Sequence, residues 1–292
     1  MVMINNQSTD IEQQLRKIAN ILLLNGTLVD CPGLIHGKTG VAVFFFFYAQ
    51  HTGNRLFEDY ALDLIGEIQE QIHVNSPADY EKGIAGIGVG IDYFMRNGFL
   101  DADDDIFDDF DQRMYRAVMY DPCQDFSLYD GLTGYGRYWI MRLNRQSSLV
   151  QARECLSYIT GKIKQNLPDI PEKERTEVYC FQYDLSQIQG FDVETRLIAS
   201  LREQCRIQLA DNRQSFLRLR DSTVGSIIRI HQRNHYFVCS SHDDNVIALK
   251  QIQDLDMGKP SVSMGLLDGY AGEGMLRLTA LNQTNLSWML LL

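Results

Sequence analysis

Ser127-Leu-Tyr-Asp-Gly-Leu-Thr-Gly-Tyr-Gly-Arg-Tyr-Trp139 reads as a turn that opens an apolar helix. The chain writes this pattern several times. Gly37-Lys-Thr-Gly40 precedes the apolar run Val41 to Tyr48, Gly83-Ile-Ala-Gly86 precedes Ile87 to Phe94, and Gly269-Tyr-Ala-Gly272 precedes Glu273 to Leu278. The first glycines stand at 37, 83, 131 and 269, in steps of 46, 48 and 138, and 138 is three times 46. Two further copies are therefore expected near 177 and 223. Ser222-Thr-Val-Gly225, followed by Ser226 to Ile230, is the second in worn form. Tyr179-Cys180 through Gln187-Ile-Gln-Gly190 is the best trace of the first.

A fixed period of this length marks a repeat architecture, in which each unit must stack on its neighbours to bury its apolar face. Glycine suits such a turn in two ways: it permits positive φ, and it lets another backbone approach closely. A helix N-terminus beyond the turn is also expected to present free N–H groups.

The 292 residues are 45% hydrophobic, enough for a substantial core, and the shared repeat argues for a single domain over 1–292. The formal charge is −11 and the pI about 5.0. Such a chain repels phosphate backbones, so nucleic acid is not an expected partner, whereas a basic or neutral peptide is. The N-terminus lacks the basic and apolar regions of a signal peptide, and neither Val41 to Ala49 nor Trp288 to Leu292 is long enough to span a bilayer. Six scattered Cys without C-x-x-C pairs do not form a disulfide framework and point to a reducing cytoplasm.

The reading along the chain is an alternation of half-exposed outer helices, glycine turns and buried inner helices. Ser8 or Thr9 is placed as the first cap, with Ile11, Leu15, Ile18, Ile21 and Leu22 on one face. From Asn54, the residues Leu56, Tyr60, Ala61, Leu64, Ile65, Ile68 and Ile72 form a stripe. Asp103 to Met119 and Ser147 to Gln165 read as the next outer helices, and Pro168 to Arg175 as a polar loop. The stretch 176–215 carries no clear turn signature. Tyr236 to Cys239 reads as a short extended piece, and Asp243 to Asp254 as the last outer helix.

The repeated G-x-x-G turns resemble the lanthionine synthetase C-like (LanC-like) family. Leu34-Ile-His-Gly-Lys-Thr-Gly-Val41 is similar to how its members begin. Gly265-Leu-Leu-Asp-Gly-Tyr-Ala-Gly272 and Ser287-Trp-Met-Leu-Leu-Leu292 are similar to how they end. The resemblance implies an all-α fold, an α/α toroid of about six to seven helix pairs. It also implies peptide thioether (lanthionine) cyclisation of the lantibiotic type, in which zinc held by one Cys and by an adjacent Cys-His pair activates a thiol. At the worn turn this chain carries Arg220 and Asp221 where the resemblance would put that Cys and His, and an arginine is no ligand. Cys180 is the loose match for the other Cys. The expectation is therefore a protein of ribosomal peptide modification that binds peptide without the zinc reaction. No cofactor is expected, and zinc only under a different alignment of the late turns. The chain has no dehydratase-like segment, so a dehydrated substrate would come from a separate dehydratase.

Candidate catalytic residues are Asp79, which matches an acidic residue the family uses, Asp130, and His36 before the first turn. Candidate substrate-binding residues are Tyr80, Tyr129, Arg220, Asp221, Asp268 and Tyr270. Asp at a turn more often caps a helix or accepts turn N–H groups. Cys239-Ser-Ser-His242 offers ligand types at short spacing without a second pair, so Cys180, Cys239 and His242 are weak metal candidates. Two other classes stay open. One is a carbohydrate-active toroid using Asp79 and Asp130 as paired carboxylates, with Tyr80, Tyr129, Tyr135 and Tyr270 as its only turn aromatics. The other is a non-enzymatic interaction scaffold.

Overall fold

A computed structural model describes residues 2–73, 75–121, 123–191, 198–203, 205, 223–237, 263–267, 269–282 and 286–292. Its helices are α1 (Val2–Asn25), α2 (Lys38–Thr52), α3 (Arg55–Gln71), α4 (Ile84–Arg96), α5 (Asp108–Met119), α6 (Leu132–Arg145), α7 (Val150–Asn166), α8 (Glu172–Ser186), α9 (Thr223–Phe237) and α10 (Tyr270–Asn282). Short 3-10 turns cover Gly26–Leu28, Asp104–Phe107 and Leu286–Leu291. The fold is all-α; among the described residues the only β pairing is an isolated bridge between Ser263 and Gly269. Two compact units form, one from Met1–His73 with Leu219–Leu292 and the other from Val74–Arg218.

The glycine turns repeat closely. Gly37, Gly83 and Gly131 each cap their helix in the same extended conformation, with φ of −113°, −104° and −118° and ψ of −169°, −166° and −170°. Positive φ is thus not the reason for glycine here; close approach is. A Cβ at Gly37, Gly83 or Gly131 would lie 2.4, 2.3 or 2.5 Å from the carbonyl oxygen six residues earlier. At the second glycine the same holds: Gly40, Gly134 and Gly272 would meet the oxygens of Leu34, Leu128 and Leu266 at 2.4, 2.1 and 2.0 Å. The loop is folded so tightly onto the helix start that its carbonyls take the helix's own first N–H groups. Lys38, Ile84, Leu132 and Tyr270 donate to the oxygens of Cys31, Pro77, Asp125 and Ser263 at 2.9, 2.8, 2.9 and 3.0 Å. The expectation of free N–H groups at these termini is corrected: the leading donor of each is spent inside the turn.

A third glycine, five residues after the first, fits the helices to one another. Gly88 of α4 leaves room for Tyr138 of α6, and a Cβ there would be 2.6 Å from the ring. Gly136 of α6 does the same for Phe181 of α8, at 2.2 Å, and Gly274 of α10 for Phe44 of α2, at 2.3 Å. Each of these inner helices takes an aromatic ring from the next copy, and the last copy takes one from the first. The turns are stitched in the same order. Tyr80 and Glu81 donate their N–H groups to Tyr129 O at 2.8 and 3.3 Å, and Leu266 and Leu267 donate to Ile35 O at 2.8 and 3.4 Å.

The outer helices follow the stripes with one shift. Asn54 caps α3 by accepting from Leu56 N–H, and Ala61, Leu64, Ile65 and Ile68 are buried. Leu56 is instead 71% exposed, because Phe57 takes the inward place, 4.7 Å from the Tyr48 ring. On α1, Leu15, Ile18 and Leu22 are buried, but the helix already runs from Val2, ahead of Ser8 and Thr9. Phe44, Phe45 and Phe46 are core, as is Trp288 in the packed tail, whose indole N–H donates to Thr279 Oγ1 at 3.2 Å.

Three expectations are corrected. Pro168 to Arg175 is not a long loop: Pro171 caps α8, and its fixed φ of −54° starts the helix where no glycine stands. Tyr179 and Cys180 lie inside α8 rather than in a turn. Tyr236 and Phe237 close α9 rather than forming an extended piece. Helix α9 begins where the worn turn predicts, but that turn at Ser222, and the outer helix expected at 243–254, lie outside the described residues.

Candidate functional site

The site candidates sit on the glycine turns, and the two units hold different ones. In the second unit, the Tyr80-to-Tyr129 bond sets the loops of Asp79 and Asp130 side by side. Asp79 is half-buried, and its Oδ1 accepts from Lys82 N–H at 2.7 Å, which is the capping role. Asp130 is exposed, and its N–H donates to Ser127 Oγ at 3.4 Å.

Two further groups complete this neighbourhood: Cys123, which sequence reading passed over, and Tyr135, which it named only as a turn aromatic. Cys123 is half-buried, with Sγ 3.6 Å from Asp125 O and 3.8 Å from Asp130 O. Burial pushes its thiol up, the Asp125 carbonyl opposes this, and the Asp125 and Asp130 carboxylates add to it. Tyr135, in the first turn of α6, has its phenol pushed up to about 12 by burial, with Cys123 and Asp79 adding. The cluster sets carboxylates beside a thiol and a phenol that burial keeps protonated. It can attract a cation and donate a hydrogen bond from the Tyr135 phenol, and neither the thiol nor the phenol is activated as a nucleophile.

Tyr80 and Tyr129 are buried rather than presented as platforms, at 0% and 4% exposure. The Tyr80 ring instead carries the Arg137 guanidinium 5.7 Å from its centre. Burial raises the Tyr80 phenol, while the charge of Arg137 and the hydrogen bond to it oppose the rise. A sugar cleft needs exposed ring faces, so these two tyrosines do not supply one.

Beneath this loop, α8 replaces the missing fourth turn with carboxylates. Glu177 Oε2 accepts Leu128 N–H at 2.5 Å and Glu174 Oε2 accepts Phe126 N–H at 3.3 Å. Both glutamates are buried. They do for the third loop what the Ile35 and Tyr129 carbonyls do elsewhere. Nothing in a run of charges at 172–177 marks them as inward, because the pattern is amphipathic only once the helix start is known.

Cys180 lies inside α8. It is buried, and desolvation holds its thiol well above the ordinary value, Asp184 adding and Arg137 opposing. Among the described residues, no group of three or more His, Cys, Asp or Glu side chains is arranged to hold a metal ion.

In the first unit, His36 is half-buried where the first and last loops meet. A Cβ at Gly265 would lie 2.6 Å from His36 Cα, so the backbones are in contact there. Tyr270 is half-buried at the start of α10. Arg220, Asp221, Cys239, His242 and Asp268 lie outside the described residues.

A comparison with family models finds no match for the chain, and no curated protein matches it. No helix among the described residues is long and apolar enough to cross a membrane.

Proposed function

We propose that this is a LanC-like protein of ribosomal peptide modification that binds a basic peptide at its glycine-turn loops and does not carry out the zinc-dependent thioether reaction. The observation that carries the reading is the repeated turn. Its glycine approach, its leading N–H bond and its loop-to-loop stitching recur, and the last copy docks on the first as the second docks on the third. A LanC-like chain requires such joining of its ends. The lack of cyclisation is supported by Cys180, a buried thiol held neutral, with the Asp184 carboxylate adding to the rise. The peptide preference is supported by the carboxylates of Asp79 and Asp130 on adjoining loops and by a net charge of −11. Coulombic attraction to a lysine- or arginine-bearing segment weakens with salt, since the screening length is about 8 Å at physiological ionic strength.

The test is fluorescence anisotropy with a labelled basic peptide. The Asp79→Asn, Asp130→Asn double variant is expected to bind about tenfold more weakly, a change of about 1.4 kcal/mol. Asparagine retains the turn-accepting oxygen of Asp79, so the loop stays folded. Equal affinity in the wild type and the double variant would overturn the assignment of the peptide to these loops.

A further inference from the structure

We infer that α9 carries a two-histidine site for a divalent late first-row metal ion, of the class of Zn²⁺, Ni²⁺ or Cu²⁺, formed by His231 and His235. The run His231-Gln-Arg-Asn-His235 lies within a continuous helix. Residues four apart share one face, with Cβ atoms about 5–6 Å apart. That spacing lets two imidazoles take adjacent positions on one ion, the same physics that places paired histidines in helical zinc motifs.

The surroundings favour ligation. His231 is half-buried next to the buried Ile227, Ile228 and Gln232, and His235 is exposed, so the pair has a fixed inner member and a solvent-facing outer one. Gln232 Nε2 donates to Met289 O at 3.1 Å, which fixes the rotation of α9 against the packed tail. The His235 ring stands edge-on to Tyr236 at 4.7 Å, which limits its freedom before an ion arrives. A neutral imidazole offers its ring lone pair to such an ion. Imidazole selects the later first-row ions over Mg²⁺ and Ca²⁺.

The site is unlike a thiol-activating centre. The pair supplies two nitrogen ligands and no sulfur, so water completes the coordination sphere and the ion exchanges readily. Metal binding here does not rest on peptide binding, and failure of either leaves the other standing.

The test is calorimetric titration of the chelator-stripped full chain with Ni²⁺ and with Zn²⁺. The wild type is expected to bind one equivalent. His235→Ala, at an exposed position, is expected to weaken binding by about tenfold or more, since even an outer partner of a metal ligand is worth about 10–100-fold. His231→Ala is expected to do the same, with circular dichroism confirming retained helicity. A wild-type chain that binds neither ion, or a His235→Ala chain that binds both as the wild type does, would overturn the assignment.

Discussion

At Arg142 one buried guanidinium holds together α6, α5 and the 3-10 turn that precedes α5. Its Nε lies 2.9 and 3.0 Å from the Asp111 oxygens, its Nη2 2.9 Å from Asp111 Oδ2, and its Nη1 3.1 Å from Asp104 Oδ2. Tyr138 donates to the same Asp111 at 2.6 Å, and the guanidinium lies 4.6 Å from the Phe107 ring centre. Arg145 continues the network to Asp104 and Asp92. Arg142→Met would leave Asp111 buried without its cation, and is expected to lower stability by about 3–5 kcal/mol in urea unfolding. Arg142→Lys would retain the charge without the planar fork and should fall between. His231 supplies a pH signature. Its folded pKa, about 4, lies below the unfolded value of about 6.5, so the folded chain binds fewer protons than the unfolded one. Its contribution to stability is fully present above about pH 6.5 and is lost as pH falls toward 4. The melting temperature should drop over that window, and His231→Gln should flatten the drop. An equally steep fall in both proteins would contradict the assignment.

At the scale of the element, the glycine turn is a packing device rather than a backbone-strain device. Gly83→Ala and Gly131→Ala place a methyl against backbone oxygen and are expected to cost about 1–3 kcal/mol each. Gly66 and Gly161 lie inside α3 and α7, and a methyl added at either would meet nothing within 4 Å. Alanine there should stabilise by about 0.5–1 kcal/mol. Thermal melts of the four single variants separate the two kinds of glycine; uniform effects would contradict the packing role. Helix α8 offers a second test. Glu177→Ala strands the buried Leu128 N–H and should cost about 1–3 kcal/mol, while Glu177→Gln retains an acceptor and should cost less. Local spacing made the repeated turns legible: Gly37, Gly83, Gly131 and Gly269 stand out against apolar runs, and Asn54 announces its cap. What was not legible depends on a partner in another copy. Gly88, Gly136 and Gly274 are plain in the sequence, but the rings they admit come from the next repeat. Glu174 read as part of a polar loop and Glu177 fell in the stretch without a signature, because the role of Glu177 as acceptor is defined by a loop some 49 residues earlier. Leu56 lost its inward place to Phe57 because an aromatic ring was available on α2 to receive the larger side chain.

At the scale of the whole molecule, the described glycine turns spend their leading N–H groups internally, and what their loops can do chemically falls to side chains. Asp79 and Asp130 were recognisable as candidates, whereas Cys123 was not: the first two sit at fixed offsets from glycines, and Cys123 joins them only through the folded loop. The same logic bears on mechanism. The proposed function, in which the carboxylates of Asp79 and Asp130 hold the peptide and no thioether forms, predicts that the peptide is held without being changed. Thioether closure conserves mass but consumes a thiol, so counting thiols is the sharpest reading. The measurement is incubation of the chain with a dehydrated, cysteine-containing basic peptide, followed by thiol alkylation and intact-mass analysis of the recovered peptide. The peptide is expected to be retained by the protein with every one of its thiols still open to alkylation. Loss of an alkylatable thiol at unchanged peptide mass would show cyclisation and contradict the proposed function.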